Sequence, residues 1–168
     1  MNERLWWDWL QTIALALILS LVLRATVIDS FRVQGQSMEP TLHDGDRVLI
    51  SRLSYRLGEP QRGDIVVFRH PTNGARYIKR IIGLPGDVLE IRLGQVLVNQ
   101  QPLEEPYLAR RTPGSFGPVR VPAGTVFVLG DNRANSEDSR VFGFLPLRYI
   151  IGKAFLLYWP PSNMHFIR

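Results

Sequence analysis

Three short segments carry side chains whose types and spacing suit acyl-transfer chemistry. The first, Gly35-Gln36-Ser37-Met38-Glu39-Pro40-Thr41-Leu42, sets a small hydroxyl in a loop preceded by Gly35 and stiffened by Pro40. A hydroxyl held in one direction is what a nucleophile needs, although the same residues also read as an ordinary turn. The second, Tyr77-Ile78-Lys79-Arg80-Ile81-Ile82, places a lysine inside an apolar strand pattern, in a chain with 20 Lys+Arg of which only Lys79 and Lys153 are lysines. Alternation puts Tyr77, Lys79 and Ile81 on one face of that strand and Ile78, Arg80 and Ile82 on the other. Burial disfavours an ammonium and lowers its pKa. An unperturbed amine, at ~10.4, is neutral in only about one molecule in 2,500 at pH 7. A desolvated lysine is therefore a usable general base, whereas a guanidinium stays charged. A lysine snorkelling at a sheet edge fits this segment equally well. The third segment runs from Gly130 to Arg140, Gly-Asp-Asn-Arg-Ala-Asn-Ser-Glu-Asp-Ser-Arg, behind the apolar run Thr125–Leu129. It reads either as a solvated connection or as a source of hydroxyls and an Asp138/Arg140 pair that orients an amine. Lys153, also among apolar neighbours, is the rival base.

Other chemistries have poorer material. No Gly-x-Ser-x-Gly elbow accompanies His43, His70 or His165, which read as surface or turn residues. No His-Glu-x-x-His is present, and Asp44-Gly45-Asp46 lacks the further oxygen ligands of a calcium loop, so no metal or other cofactor is expected. With no cysteine there is no disulfide, thiol nucleophile or thiolate-bound zinc. The arginines are scattered rather than gathered into a stripe, which argues against nucleic acid as a partner.

The elements that must position these segments are strands. The 168 residues are 45% hydrophobic, enough for one main domain. Strand-length apolar runs at Arg47–Ile50, Asp64–Phe68, Tyr77–Ile82, Val88–Arg92, Val96–Val98, Thr125–Leu129 and Gly152–Trp159 predict a mostly β fold. Val88–Arg92 and Val96–Val98 form a predicted hairpin. Gln100–Pro122, rich in Pro and Arg, reads as a long surface excursion. Ahead of the strands, Leu5–Ile28 is the most hydrophobic stretch. As a helix it would rise roughly 36 Å, enough to cross a ~30 Å hydrocarbon layer, with Trp6, Trp7 and Trp9 suited to the headgroup region. A cleavable leader is the competing reading, but no small-x-small site follows the apolar core. The expected organisation is a membrane anchor over 1–28 and a β-rich domain over 29–168, with an insertion at about 88–124. Charges at the two ends of the helix do not fix its orientation.

In this order, behind an apolar N-terminal helix, the segments resemble the type I signal peptidases, membrane-bound endopeptidases with a Ser/Lys dyad. Ser37-Met38-x-Pro-Thr-Leu is similar to that family's nucleophile box, and Arg62-Gly63-Asp64-Ile65-Val66-Val67-Phe68 to the strand motif after it. Tyr77 through Gly83-Leu84-Pro85-Gly86-Asp87 is similar to the lysine box, and Gly130-Asp131-Asn132-Arg133 with Ser136-x-Asp138-Ser139-Arg140-x-x-Gly143 to the last box. The likeness spans roughly Phe31–Pro160. It implies that Ser37 is the nucleophile and Lys79 the general base, that Ser136 orients the amine, and that Asp138 and Arg140 support that loop. It also implies shallow pockets for small residues before the cut, lined by Phe31, Val33, Gly35, Met38, Leu42, Tyr77 and Ile78. Some family members carry a serine hydroxyl as second oxyanion donor two positions before the nucleophile, where this chain has Gly35. The implied partners are signal-peptide-bearing preproteins, membrane lipid and, as a possible one, the export translocon. The implied location is a plasma or thylakoid membrane, with the catalytic domain on the periplasmic, extracellular or lumenal side. Two rivals remain: a self-cleaving Ser/Lys repressor-type protease, which would carry a regulatory segment where this chain has an apolar helix, and a non-catalytic β-domain bound to acidic headgroups.

Overall fold

The structure, a computed structural model, describes residues 3–167. Helix α1 (Glu3–Val27) passes directly into β1 (Ile28–Arg32), so Ile28, expected as helix, is the first strand residue, paired with Ser51. The β-branched pair Val27-Ile28 favours that change from helix to strand. Among the described residues no helix is long and apolar enough to cross a membrane. Within α1 the side chains at 6–20 are described and exposed, and Asp8 and Gln11 interrupt the apolar pattern near its start.

The following elements are β2 (Arg47–Ser51), α2 (Ser54–Leu57), β3 (Ile65–Arg69), β4 (Arg76–Gly83), β5 (Val88–Arg92), β6 (Gln95–Val98), β7 (Gln101–Pro102) and β8 (Phe116–Arg120). Next come β9 (Thr125–Leu129), α3 (Ser139–Phe142), β10 (Leu145–Pro146), β11 (Ile150–Trp159) and β12 (His165–Phe166). The main sheet has the order β1-β2-β11-β3-β4-β9-β10, with β12 on β11; a second sheet has the order β7-β6-β5-β8. All the pairings are antiparallel, and the chain is mostly β as expected.

Strand β3 explains why the site lies at the centre of the large sheet. Its run Ile65-Val66-Val67-Phe68 is apolar at every position, the pattern of a strand covered on both faces. Ile65 and Val67 pack with Phe31, Val48, Ile50 and Ile78 on one side. Val66 and Phe68 pack with Ile81, Val126 and Val128 on the other. Lys79 lies directly opposite Val66 in the β3/β4 register, so its stem starts inside the second of these cores.

The second sheet has a core of its own from Leu89, Ile91, Val96, Val98, Val121 and Phe127. Its β5/β6 hairpin turns on Leu93 and Gly94, both at positive φ (51° and 82°), the geometry of a two-residue loop that matches strand twist. The surface excursion expected over Gln100–Pro122 needs correction. Phe116 and Val119 reach the second core from β8, Val121 is buried within it, and β7 and β8 complete the sheet. Gly117-Pro118 interrupts the alternation between Phe116 and Val119, and that interruption hid the strand.

Candidate active site

The loop after β1 is fixed from both sides before it reaches Ser37. Val33 N–H donates to Asp46 O and Gly45 N–H donates back to Val33 O. Gly35 sits at φ +79°, a left-handed conformation that glycine adopts without strain, and its N–H donates to Asp44 Oδ1 at 2.7 Å. The Gly35 amide is thus already engaged by Asp44. Met38 and Leu42 are fully buried, and Leu42 N–H closes the turn on Met38 O. Driving these two side chains into the core aims Ser37 the other way, toward β4.

There Lys79 Nζ lies 2.7 Å from Ser37 Oγ and 3.0 Å from Ile78 O. Lys79 is 4% exposed. Burial pulls its pKa down to about 8, against the opposing pull of the Asp138, Glu137 and Asp131 carboxylates. An amine near 8 is neutral in roughly a tenth of molecules at pH 7, some two hundred times more than a free lysine. The rival base, Lys153, instead forms an ion pair with Asp64 Oδ1 at 2.6 Å.

The loop after β9 closes the arrangement. Asn132 N–H donates to Ser37 O at 3.0 Å. Asp131 takes Arg80 Nε and Nη2 at 3.0 and 2.7 Å and the Thr41 hydroxyl at 2.6 Å, so one buried carboxylate joins the nucleophile loop, the lysine strand and the last loop. Tyr107 stacks on the Arg80 guanidinium at 3.9 Å. Asp138, also buried, accepts from Gly130 N–H and is held by Arg140 Nε and Nη2, both at 2.8 Å.

Ser37 and Lys79 open into a cavity of about 920 Å³ whose walls include Phe31, Gly35, Tyr77 and Ile78. Val33, Met38 and Leu42, expected to line it as well, are core residues packed with Val48 and Ile50. In a loop next to a core, hydropathy alone does not separate pocket wall from anchor. Ser136 Oγ is buried and has no hydrogen-bond partner among the described residues, so the expected bond to the Lys79 amine is not formed. An orphaned buried hydroxyl costs about 1–3 kcal/mol, and such exceptions call for a functional account.

The model of the family described as signal peptidase, peptidase S26 matches residues 6–159. The chain belongs to this family. It is 41% identical over 164 residues to a signal peptidase I of Leptolyngbya laminosa, covering 92% of this chain and 80% of that one. A Bacillus amyloliquefaciens signal peptidase I is 38% identical over 170 residues, covering 95% and 88%. A crystal structure of a signal peptidase I from Enterococcus faecalis V583 superposes with a TM-score of 0.53 at 38% identity, over 57% of this chain and 97% of that one.

Two features of this peptidase-family site escaped sequence reasoning. The Arg80–Asp131–Thr41 junction joins positions 51 and 90 residues apart, and no local pattern announces it. His70, expected at the surface, is buried between the Tyr77 and Phe142 rings, with centroids 4.8 and 4.9 Å away; His43 and His165 are exposed as expected. Only the apolar run before His70 hinted at its burial.

Gly130 is required for closeness rather than for φ. A Cβ there would come within 3.0 Å of Ser136 Oγ and Ser37 O. Overpacking of this kind typically costs about 1–3 kcal/mol, and relieving it pushes the nucleophile loop off the lysine. Gly130→Ala is expected to lower kcat by about a hundredfold or more with only a modest loss of Tm. Steady-state kinetics beside thermal melting checks this, and an unimpaired kcat would refute the close-approach argument.

Proposed function

We propose that the chain is a membrane-anchored endopeptidase that removes N-terminal signal peptides from exported preproteins, cutting after small residues of the Ala-x-Ala type. The observation that carries the reading is the 2.7 Å approach of a desolvated lysine amine to a serine hydroxyl at the edge of an open cleft. Ser37 is the nucleophile and Lys79 the general base. Neutral Lys79 takes the hydroxyl proton as Ser37 Oγ bonds to the scissile carbonyl carbon. The resulting ammonium then gives that proton to the leaving amine as the C–N bond breaks. Water next attacks the acyl-serine carbonyl, Lys79 taking its proton and returning it to Ser37 Oγ as the ester C–O bond breaks, which restores the free serine and neutral lysine and releases the signal peptide with a new C-terminal carboxylate. The Ser37 backbone N–H is assigned to the oxyanion, an interaction of the kind whose loss costs ~10²–10³ in kcat. Ser136 Oγ is assigned as a partner of the Lys79 amine during turnover, with the Asp138–Arg140 pair holding its loop.

Phe31, Gly35, Tyr77 and Ile78 belong to the substrate cleft in this reading. A narrow pocket excludes large side chains sterically. The exposed apolar side chains of α1, among them Trp6, Trp7, Trp9 and Leu15, support its assignment as the anchor, because an apolar helix surface with no core against it needs another apolar medium. The catalytic domain over 29–168, including the second sheet, then sits on the trans side of the membrane, against lipid and within reach of the translocon. Purified protein in detergent is expected to cut a precursor bearing Ala-x-Ala at the bond after the second alanine, as read by mass spectrometry. Replacing that alanine by Phe is expected to stop cleavage. Cleavage that ignores this replacement, or no cleavage by folded protein, would reject the assignment.

A further inference from the structure

The acidic groups near the dyad are not equivalent. Asp131 and Asp138 are buried and each is held by an arginine, Arg80 and Arg140 respectively. Asp44, on the cleft wall, gives one carboxylate oxygen to Gly35 N–H. Glu137, on the same wall, has its side chain 53% exposed, and its only ion-pairing contact among the described residues is His70 Nε2 at 3.8 Å. The carboxylate is nevertheless fixed in place. The Tyr77 hydroxyl donates to Glu137 Oε2 at 3.1 Å and itself accepts from Asn73 Nδ2 at 3.3 Å. His70 Nδ1 accepts from Thr72 N–H at 3.3 Å, and among the described residues its Nε2, the atom that faces Glu137, makes no hydrogen bond. One uncharged donor, the Tyr77 hydroxyl, therefore holds the Glu137 carboxylate on the cleft wall. The basic groups on the cleft walls are Arg32, Arg76 and Lys79. Of these, Arg76 lies over the Phe31 ring and 3.8 Å from Asp29.

We propose that Glu137 selects precursors by charge, favouring a basic over an acidic residue within two positions of the scissile bond. The inference rests on the peptidase reading above. A carboxylate uses two oxygens with about four acceptor sites, so one donated Tyr77 bond leaves room for an incoming ammonium or guanidinium. An incoming carboxylate beside Glu137 would meet a like charge, a repulsion that the Arg32, Arg76 and Lys79 cations on the same walls reduce. Because the group is half exposed, the discrimination is modest, about threefold to tenfold in kcat/KM, and screened by salt.

The test is a competition assay in which peptides share one Ala-x-Ala site and differ only by Lys, Gln or Glu. The varied residue stands second before the cut, first after it or second after it, and products are counted by mass spectrometry. Wild-type enzyme is expected to prefer Lys over Glu about threefold to tenfold in at least one of these series, less at high salt. Glu137→Gln should bring that ratio to near one, and Glu137→Arg should invert it. Each ratio is taken within a single preparation, so loss of folded enzyme cancels. Equal rates for Lys and Glu in wild type, or the same ratio in Glu137→Gln, would overturn charge selection while leaving the peptidase reading intact. Failure of wild type to cut even the Gln peptides would overturn both.

Discussion

Ser37→Ala and Lys79→Arg are each expected to lower kcat by about 10⁴-fold or more while leaving a folded protein, and the two changes together should cost little more than either alone. Groups that act as a unit are non-additive in this way, because removing one leaves the other nothing to do. Alanine deletes the oxygen proposed to form the acyl-enzyme. Arginine keeps the charge and much of the stem, but a guanidinium does not lose its proton at accessible pH and so cannot accept one from Ser37. The alternative base, Lys153, is separated from this chemistry by its ion pair with Asp64, and Lys153→Arg is expected to keep most of the activity. Kinetics on the four variants, with circular dichroism to verify folding, decides the assignment. A Lys79→Arg enzyme with substantial activity would remove Lys79 from the mechanism.

The second large effect concerns stability. Lys79 is held at a pKa of about 8 in the folded chain against 10.5 as its reference value, chiefly by burial. A lysine whose folded pKa is depressed contributes stability above the unfolded pKa, and this contribution is lost as pH falls toward and through the folded value. From about pH 10.5 down to about 8 the unfolded chain gains a proton that the folded chain does not. Below that window both are protonated and the full penalty stands. At ~1.4 kcal/mol per pKa unit the penalty at pH 7 is on the order of 3 kcal/mol. Lys79→Met, which keeps the length of the stem and drops the charge, is accordingly expected to stabilise the fold by about that amount at pH 7 and to abolish cleavage. The gain should shrink as pH rises toward 10.5. Denaturant titrations of both proteins across this range measure it, and a Met variant no more stable than wild type at pH 7 would contradict the burial argument. Giving up stability for a poised base is the usual trade at catalytic sites.

The pairing of Ser37 with Lys79 was expected from the family resemblance, and one part of it has a local physical basis in the sequence. A lysine in an apolar strand, in a chain with only one other lysine, Lys153, is a local feature, and period-two alternation put Lys79 with Tyr77 and Ile81 on the face shared with Val66. The strands around it were legible on the same ground. What the sequence did not show depends on distance along the chain or on competition between cores. The Asp131 carboxylate joins Arg80 and Thr41 across long separations, so no window contains all three. Val33, Met38 and Leu42 are as apolar as a pocket wall must be, and only the third dimension assigns them to the core under the nucleophile loop. Strand β8 was hidden because Gly117-Pro118 disrupts the alternation that reveals other strands. The unpaired Ser136 hydroxyl is likewise a matter of geometry, since a serine in a polar loop looks the same whether or not its oxygen finds a partner.

The neutral amine of Lys79 as the base that activates Ser37 is the central claim, and the pH dependence of kcat/KM on a precursor peptide tests it most directly. The rate should rise with pH along a single limb with a midpoint near 8, following deprotonation of Lys79 in the free enzyme. A limb with its midpoint near the ~10.4 of an ordinary lysine, or a rate that falls with pH through this range, would contradict the account.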